Sequence, residues 1–309
     1  MRPITNFKLF GIIIVLLFIV SIQRVKCQNL PISELLVNST IRIECHGDTV
    51  INGQQIPFTS VGSGFFFQFA IGKDTVLCIV TNFHVIKGAK TGVLRFTESI
   101  NNKPNYGHII TKTITPFSSW IKHPSQDLAI LPITPIINEI RGVGKLPYMV
   151  SFEESNLLNT QQLNELTAIE DVLMIGYPVG FWDSTNNLPV VRKGLTATPI
   201  YLNYEGRPHF LLDISIYPGS SGSPIVLYNQ GSYGTRQGGL IVGSRLNLIG
   251  INVQSVNAPV TGEVNLNNNQ HILTTTSIPI NVAVVIKATE LLAFKPILLH
   301  IINNQPTHK

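Results

Sequence analysis

The feature that most limits the fold of this chain is the distribution of apolar residues after residue 28. They occur in short runs rich in β-branched and aromatic side chains, divided by Gly, Pro, Asn and Ser. Such runs are typical of strands, and their spacing favours an antiparallel barrel or sandwich. The predicted strands are Thr40 to Glu44, Gly64 to Ala70, Val76 to Thr81, Gly92 to Thr97, His108 to Ile114 and Leu128 to Ile133, then Asp171 to Tyr177, Val191 to Thr198, Phe210 to Ile216, Ser223 to Leu227, Leu240 to Val242, Leu246 to Val253 and Ile280 to Val285.

The strands form two sets, and the segment between them is polar and weakly periodic, as in a linker with a short surface helix. A helix is predicted at Ala288 to Phe294, with Pro296 limiting its continuation. Asn265 to Gln270 is a polar loop. No repeat of 20 to 50 residues is visible, which argues against a solenoid or propeller. The predicted units are an amino-terminal barrel at 28–140, a linker at 141–167, a carboxy-terminal barrel at 168–287, and a helix and tail at 288–309.

Residues 1–27 have the pattern of a targeting segment. Arg2 and Lys8 precede an apolar run from Leu9 to Val20, which has signal-peptide length and is shorter than the ~20 residues of a membrane span. We expect cleavage before Gln28, although Lys26 makes that site a poor match. The alternative is an uncleaved membrane anchor. The expected location is therefore secreted or extracytoplasmic, with membrane attachment only if the segment is retained.

The formal net charge of +5 does not indicate a nucleic-acid partner. Residues 1–27 contain four basic and no acidic side chains, so of the 22 Lys and Arg residues eighteen remain, against 17 acidic residues. A nearly neutral body lacks the electrostatic footprint of a DNA- or RNA-binding protein.

Cysteine and histidine spacing gives little sign of a metal site. After cleavage Cys45 and Cys78 remain, and they could form one disulfide, although the sequence does not show that they meet. No CxxC pair or closely spaced His/Cys cluster is present in the sequence. We expect neither a metal nor a cofactor.

Three segments carry residues suited to nucleophilic catalysis. Ser221 lies between glycines in Tyr217 to Pro224, a turn that would expose its hydroxyl and direct amide hydrogens to one point. Because a serine hydroxyl is a weak nucleophile, it needs a base. His84 follows a buried-looking strand and would supply that base, and Asp127 precedes another such strand and would orient the imidazole.

In the order His, Asp, Ser, these segments resemble the chymotrypsin-like (trypsin-like) superfamily of serine peptidases. The resemblance is closest to the HtrA-type and glutamyl-endopeptidase-type branch, and it extends over about residues 40 to 295. No PDZ domain is expected, because about 15 residues follow the predicted helix. The segments that carry the resemblance are Ser63-Gly64-Phe65, Thr81-Asn82-Phe83-His84-Val85, Asp127-Leu128-Ala129, Asp213 with Pro218, Gly219-Ser220-Ser221-Gly222-Ser223-Pro224 and Leu248-Ile249-Gly250-Ile251-Asn252.

The resemblance implies an all-β fold of two six-stranded antiparallel barrels, with the active site in the cleft between them and a short carboxy-terminal helix. It implies an endopeptidase that acts on proteins or peptides through an acyl-enzyme on Ser221, with His84 as general base and Asp127 as its orienting acid. The N–H groups of Gly219 and Ser221 would form the oxyanion hole. Substrate would add a strand along Ile251 to Gln254. The residues expected to bind substrate are Ser215, Ile216, Ile251, Asn252 and Val253.

Two departures from the wider family limit what the resemblance implies. Ser220 stands where trypsin-like zymogens carry an aspartate, so activation by an ion pair with a new amino terminus is not expected. Asn252 stands where glutamyl endopeptidases carry a histidine, which removes the reason to expect acidic substrates. Because Ile216 and Ile251 flank the expected pocket, we predict a preference for small or medium apolar residues.

Other interpretations of these residues remain open. A Gly-flanked serine also occurs in ordinary loops, His84 is one of eight histidines, and Asp171 and Asp213 also adjoin apolar runs. Asp213 better suits a structural hydrogen bond. The alternative function is a silent or latent peptide-binding or chaperone-like homologue, and an esterase would use the same residues.

Overall fold

The structure, a computed structural model, describes residues 31–265 and 271–304. The proposed targeting segment and most of the predicted loop at Asn265 to Gln270 lie outside these residues. From Leu35 onward the described chain forms one compact unit, and the few described residues before it belong to a separate unit. Among the described residues, no helix has the length and apolarity needed to cross a membrane.

The amino-terminal half of the compact unit is a sheet in which all six predicted runs lie within or overlap strands. The main path runs β5-β4-β1-β2-β3-β7-β6; β8 pairs with β4, and β9 runs parallel to β2. Side chains alternate along β1, where Ile41, Ile43 and Cys45 enter the core. The strands are β1 (Thr40–Ile51), β2 (Gln54–Ile71), β3 (Asp74–Thr81), β4 (Ala89–Ile100), β5 (Lys103–Ile114), β6 (Ile121–Lys122), β7 (Ala129–Pro132), β8 (Pro147–Tyr148) and β9 (Phe152–Glu153).

The segment predicted as a linker is partly built into this sheet, because β8 and β9 come from it. It has more structure than the single short helix expected from its weak periodicity, since strands of two residues leave no periodic pattern. The helices of the first half and this segment are α1 (Ile32–Leu36), α2 (Phe83–Ile86), α3 (Thr134–Gly142) and α4 (Thr160–Glu165), with a 3-10 turn at Glu154–Asn156.

The carboxy-terminal half is a closed six-stranded barrel, as predicted. Its strands close in the order β10-β11-β12-β17-β16-β13, and β14 and β15 form a separate hairpin. Short 3-10 turns lie at Pro178–Gly180 and Tyr204–Gly206. The strands are β10 (Asp171–Gly176), β11 (Val190–Thr196), β12 (His209–Asp213), β13 (Pro224–Asn229), β14 (Ser232–Gly234), β15 (Leu240–Val242), β16 (Arg245–Asn265) and β17 (His271–Lys287).

Two barrel strands are longer than predicted and leave the barrel as a hairpin. Pairing of β13 with β16 ends at Ile251, whereas pairing of β16 with β17 continues to Asn265 and His271. We call residues 257–265 and 271–279 the arm. The sequence prediction ended the first strand at Val253, but the alternation of Val256, Ala258, Val260 and Val264 with polar residues continues the strand pattern beyond that point.

The terminal helix corrects the expectation for Pro296. Residues Ala288–Phe294 form 3-10 turns, and α5 (Lys295–Asn303) continues from them. Pro296 lies in the first turn of α5, where a backbone N–H has no acceptor inside the helix and its loss costs nothing.

Each half has its own apolar core, and contacts between side chains join the halves. Trp182, in the loop after β10, stacks against the guanidinium groups of Arg42 and Arg95 at 5.5 and 5.7 Å. Both arginines pair with the Glu44 carboxylate. These contacts hold the two halves against each other.

Cys45 and Cys78 do not form a disulfide. Both are buried free thiols, and burial, assisted at Cys45 by the nearby Glu44 charge, raises the pKa of each to about 12. On β2 they lie opposite Ser60 and Phe67, which are roughly 23 Å apart along the strand. A disulfide requires Cα atoms within about 7 Å.

Candidate active site

Strand pairing brings His84 and Asp127 together. β3 and β7 are antiparallel neighbours in which Thr81 lies opposite Ala129. His84 follows the end of β3 by three residues and Asp127 precedes β7 by two, so both lie at the same end of the pair. The 43 residues that separate them in sequence do not separate them in space.

The two side chains are hydrogen bonded to each other. The Nδ1 atom of His84 is 2.5 Å from Oδ2 of Asp127, and the backbone N–H of His84 donates to Oδ1 at 2.9 Å. The buried Asn82 side chain donates to the Asp127 carbonyl at 2.8 Å. Burial acts to raise the pKa of Asp127, but the hydrogen bonds and charge of His84 and the Phe83 N–H together lower it. Asp127 is thus held as a carboxylate that orients the imidazole.

Ser221 lies on a turn whose shape requires glycine. Gly219 and Gly222 have φ values of +91° and +83°. A Cβ atom on Gly222 would lie 2.0 Å from the Ser63 carbonyl oxygen, and one on Gly219 would lie 2.6 Å from the Tyr177 carbonyl oxygen. The spacing of the predicted motif therefore has a steric cause, since no larger residue fits at either position.

A residue from the other half of the molecule holds this turn. The Ser63 N–H donates to the Ser221 carbonyl at 2.9 Å, and its hydroxyl donates to the Gly219 carbonyl at 2.8 Å. The same hydroxyl accepts from the Tyr177 N–H at 2.9 Å, and Thr81 donates to the Ser63 carbonyl at 2.7 Å. We call Ser63 and Thr81 the clamp. Ser63 belongs to one of the segments that carry the family resemblance, but the sequence did not indicate this role.

Two further carbonyls of the turn are anchored, and this sets the direction of the N–H groups expected in the oxyanion hole. The Pro218 carbonyl accepts from the Val179 N–H, and the Ser220 carbonyl accepts from the Asn252 side chain at 2.9 Å. In a trans peptide the N–H points opposite to the preceding carbonyl. The N–H groups of Gly219 and Ser221 therefore point away from these anchors, and within the described residues neither has a hydrogen-bond partner.

The Ser221 hydroxyl donates to the Val253 carbonyl at 3.0 Å. Among the described residues no hydrogen bond joins Ser221 to His84, but both line one cleft of about 460 Å³. Catalytic hydrogen bonds are often loose in a protein without substrate. A rotation about the Ser221 side-chain bond is needed to direct its proton to the imidazole.

The expected substrate-binding residues divide into two groups. Ile216, Asn252 and Val253 line the cleft, together with Tyr217, Pro218, Gln254, Ser255 and Asn257. Ser215 is exposed outside that lining, and its carbonyl accepts from Arg192 at 2.7 Å. Ile251 is fully buried, because it pairs with Pro224 on one side and Ile286 on the other. Neither residue lines this cleft, and a role of Ser215 and Ile251 in substrate binding stays a prediction.

Asn252 has a second role that the sequence did not reveal. Its side chain is almost fully buried and holds the Ser220 carbonyl, and its own backbone bonds to Gly222 and Ser223. Asn252 is thus part of the support of the nucleophile turn as well as of the cleft wall. A side-chain amide that binds backbone 32 residues away leaves no local sequence pattern.

The two other candidate acids, Asp171 and Asp213, do not line the cleft. Asp171 pairs with Lys193 at 2.7 Å, and Asp213 is exposed at the end of β12. A second cavity of about 510 Å³ adjoins the cleft and shares Asp127, Val253 and Gln254 with it. There burial, with the nearby Arg207 charge, lowers the pKa of His209.

The family comparison matches the part of the chain that contains this site. The family model described as the trypsin-like peptidase domain matches residues 62–233, which include His84, Asp127 and Ser221.

Three solved structures are also similar to the chain. The inactive form of the Rv3671c protease of M. tuberculosis is 15% identical, with 85% of this chain and 89% of that chain covered and a TM-score of 0.39. The thermostable serine protease AL20 from an extremophilic microorganism is 12% identical, with 84% and 97% covered and a TM-score of 0.43. HL collagenase is 12% identical, with 88% and 96% covered and a TM-score of 0.40. Because these TM-scores are below 0.5, the assignment rests on the family model, and by that match the chain belongs to the trypsin-like peptidase domain family.

Proposed function

We propose that this chain is an exported serine endopeptidase that cleaves peptide bonds through an acyl-enzyme on Ser221. The observation that carries the proposal is the convergence of the hydrogen-bonded His84 and Asp127 pair with Ser221 on one cleft. A serine, a histidine and an acid bonded to that histidine, in this relation, are the parts of an acyl-transfer site.

The proposed reaction follows from the position of each group. His84 removes the Ser221 proton as Oγ attacks the substrate carbonyl, and then returns that proton to the leaving amine. Asp127 remains ionised and fixes the imidazole tautomer. The N–H groups of Gly219 and Ser221 stabilise the oxyanion, a contribution of typically 10²- to 10³-fold per donor. Water then hydrolyses the ester.

The cleft favours uncharged substrate side chains. Apart from His84 and Asp127, the residues that line it carry no charge, and Ile216 and Val253 are apolar. We therefore propose a preference for small or medium apolar residues before the scissile bond. A peptide library that showed a strict requirement for Glu, Lys or Arg at that position would contradict it.

Labelling with a fluorophosphonate probe tests serine activation without knowledge of the substrate. We expect labelling of the purified protein and its loss in Ser221→Ala and in His84→Ala. Ser220→Ala is the matched serine control, because this neighbour is buried and its hydroxyl has no partner among the described residues. His108→Ala, at an exposed strand position, is the histidine control. Labelling that survived Ser221→Ala would refute the proposal.

The bond from Ser221 to Val253 favours a second candidate, a latent enzyme whose serine must be released by a partner or by substrate. Such a protein would be labelled slowly, and a bound peptide would increase the labelling rate. A peptide-binding module without turnover would retain peptide binding in Ser221→Ala and show no labelling in any form.

Export is proposed from the sequence of residues 1–27 alone. Sequencing the amino terminus of the protein recovered from its native host tests this part, with Gln28 expected as the first residue. A first residue of Met1 in a membrane fraction would indicate the retained anchor.

A further inference from the structure

The arm leaves one edge of β16 unpaired beside the active site. β13 pairs with β16 only as far as Ile251, and the Asn252 backbone bonds to Gly222 and Ser223 on the same edge. From Val253 onward the described strands pair with β16 only on its other edge, through β17. An unpaired strand edge presents backbone N–H and C=O groups to any further strand. This edge starts at the cleft, because Val253 and Asn257 both line it.

Two prolines show which residues of the arm direct their backbone outward. Pro259 lies opposite Ser277, and Pro279 lies opposite Asn257. Proline has no N–H, so a strand tolerates it where the missing donor would face away from the ladder. In both proline pairs the backbone groups of the paired residues point away from the ladder. By alternation, the backbone N–H and C=O groups of Asn257, Pro259 and Thr261, apart from the absent proline N–H, therefore lie on the outer edge. The register shift between Val256 and Asn257 adds residues only on β17, so counting back by two along β16 places Ser255 on that edge as well.

The outer edge of the arm has a proline, Pro259, but no charged side chain to keep other strands away. No side chain from Asn257 to Gly262 is charged, and none from Thr274 to Ile280. Natural edge strands are usually protected by Lys or other charges. An isolated two-stranded hairpin is also only marginally stable in water, so a third strand would add to its stability.

We propose that the arm extends the substrate-binding edge, so that the enzyme takes extended polypeptide segments of about nine residues before the scissile bond. This inference rests on the proposed peptidase function. Antiparallel pairing directs the residues that precede the scissile bond outward along the arm. If the N–H nearest that bond is donated to Val253, alternate pairing places the third, fifth, seventh and ninth residues at Ser255, Asn257, Pro259 and Thr261, and of these Pro259 can only accept a hydrogen bond. Unfolded or extended protein segments are the implied substrate class.

Peptides of graded length test the proposal in the full-length protein. We expect kcat/KM to increase as a substrate is lengthened from four to nine residues before the scissile bond, by about two- to tenfold for each hydrogen-bonded pair. Lengthening after the scissile bond should give no comparable gain. N-methylation of the fifth residue should cancel its gain, and N-methylation of the sixth, whose N–H points away, should not.

Two proline variants distinguish the loss of a hydrogen-bond donor on the outer edge from a loss of stability of the arm. Thr261→Pro removes an N–H from the outer edge of β16, and its ladder partner Thr275→Pro removes one from the opposite edge, so both leave pairing within the arm intact. We expect Thr261→Pro to reduce the gain from the ninth residue two- to tenfold, and Thr275→Pro to retain it.

The possible failures are distinguishable. If no peptide is cleaved and the fluorophosphonate probe does not label Ser221, the proposed function fails. If short peptides are cleaved and added residues bring no gain, only the arm proposal fails. A dimer in sedimentation that Thr261→Pro dissociates, with no length dependence, would show that a second copy occupies the edge and would overturn the proposal.

Discussion

The two halves of the molecule hold the proposed catalytic groups in different ways. His84 and Asp127 come from one half, bond directly to each other and are each about a third to a half exposed. Ser221 comes from the other half, and its turn depends on buried contacts with Ser63 and Asn252. The proposed base is thus positioned by one side-chain pair, whereas the proposed nucleophile is positioned by backbone anchored in several places. A substitution in the His84 and Asp127 pair should change the reaction rate. A substitution in the anchors of the Ser221 turn should also change the stability of the fold.

The largest effect is expected when the base loses its orienting charge. Asp127→Asn keeps the volume but replaces an acceptor of the His84 proton with an amide, which disfavours the productive tautomer. We expect kcat for a peptide substrate to fall by about 10³- to 10⁴-fold, with the melting temperature nearly unchanged. Asp171→Asn, which alters a surface ion pair, is the control and should retain full activity. A loss of less than tenfold would contradict a catalytic role for Asp127.

Gly222→Ala tests how much the shape of the Ser221 turn contributes to the stability of the fold. The new Cβ would lie 2.0 Å from the Ser63 carbonyl oxygen, at a φ of +83°. We expect the free energy of unfolding to fall by at least about 3 kcal/mol in urea titration.

Gly238→Ala separates the two causes, because Gly238 has a φ of +80° and open space around it. That variant carries the backbone strain alone and should lose about 1 kcal/mol. Equal losses in the two variants would show that the close approach to Ser63 contributes nothing.

Ser63→Ala tests the clamp itself. The change leaves the Gly219 carbonyl and the Tyr177 N–H without their partner, and unsatisfied buried groups cost about 1–3 kcal/mol. We expect that loss of stability together with a several-fold fall in kcat, because the nucleophile turn loses an anchor. Ser60→Ala, three residues earlier on β2, is the control and should change stability by no more than about 0.5 kcal/mol. A Ser63→Ala protein with normal stability would exclude a contribution of the Ser63 hydroxyl to the clamp.

Sequence reasoning was strongest where a local pattern has a local cause. A pattern of a few residues marks the glycines around Ser221, the strand that ends before His84 and each strand of the barrel in the second half. Ser63 and Asn252 act on backbone 156 and 32 residues away, so nothing near them in the sequence announces their role. The arm was missed although Val256, Ala258 and Val260 alternate with polar residues, because the facing segment from Thr274 to Ser277 has no apolar residue and so shows no strand pattern of its own.

The smallest expected effect is a gain, and it concerns the anchor of the Pro218 carbonyl. Val179 has a φ of 52°, which is costly for a β-branched residue, and its side chain is 71% exposed. Val179→Asn should relieve this strain, since Asn adopts the left-handed region more readily, and should raise the melting temperature by about 2–4 °C, or about 1 kcal/mol. Activity should not change, because the anchor is the backbone N–H. Val143→Asn is the matched control: that valine is 74% exposed at a φ of −100°, so the same change relieves nothing there. Equal melting temperatures for the two variants would mean that the nucleophile turn is held without strain at Val179.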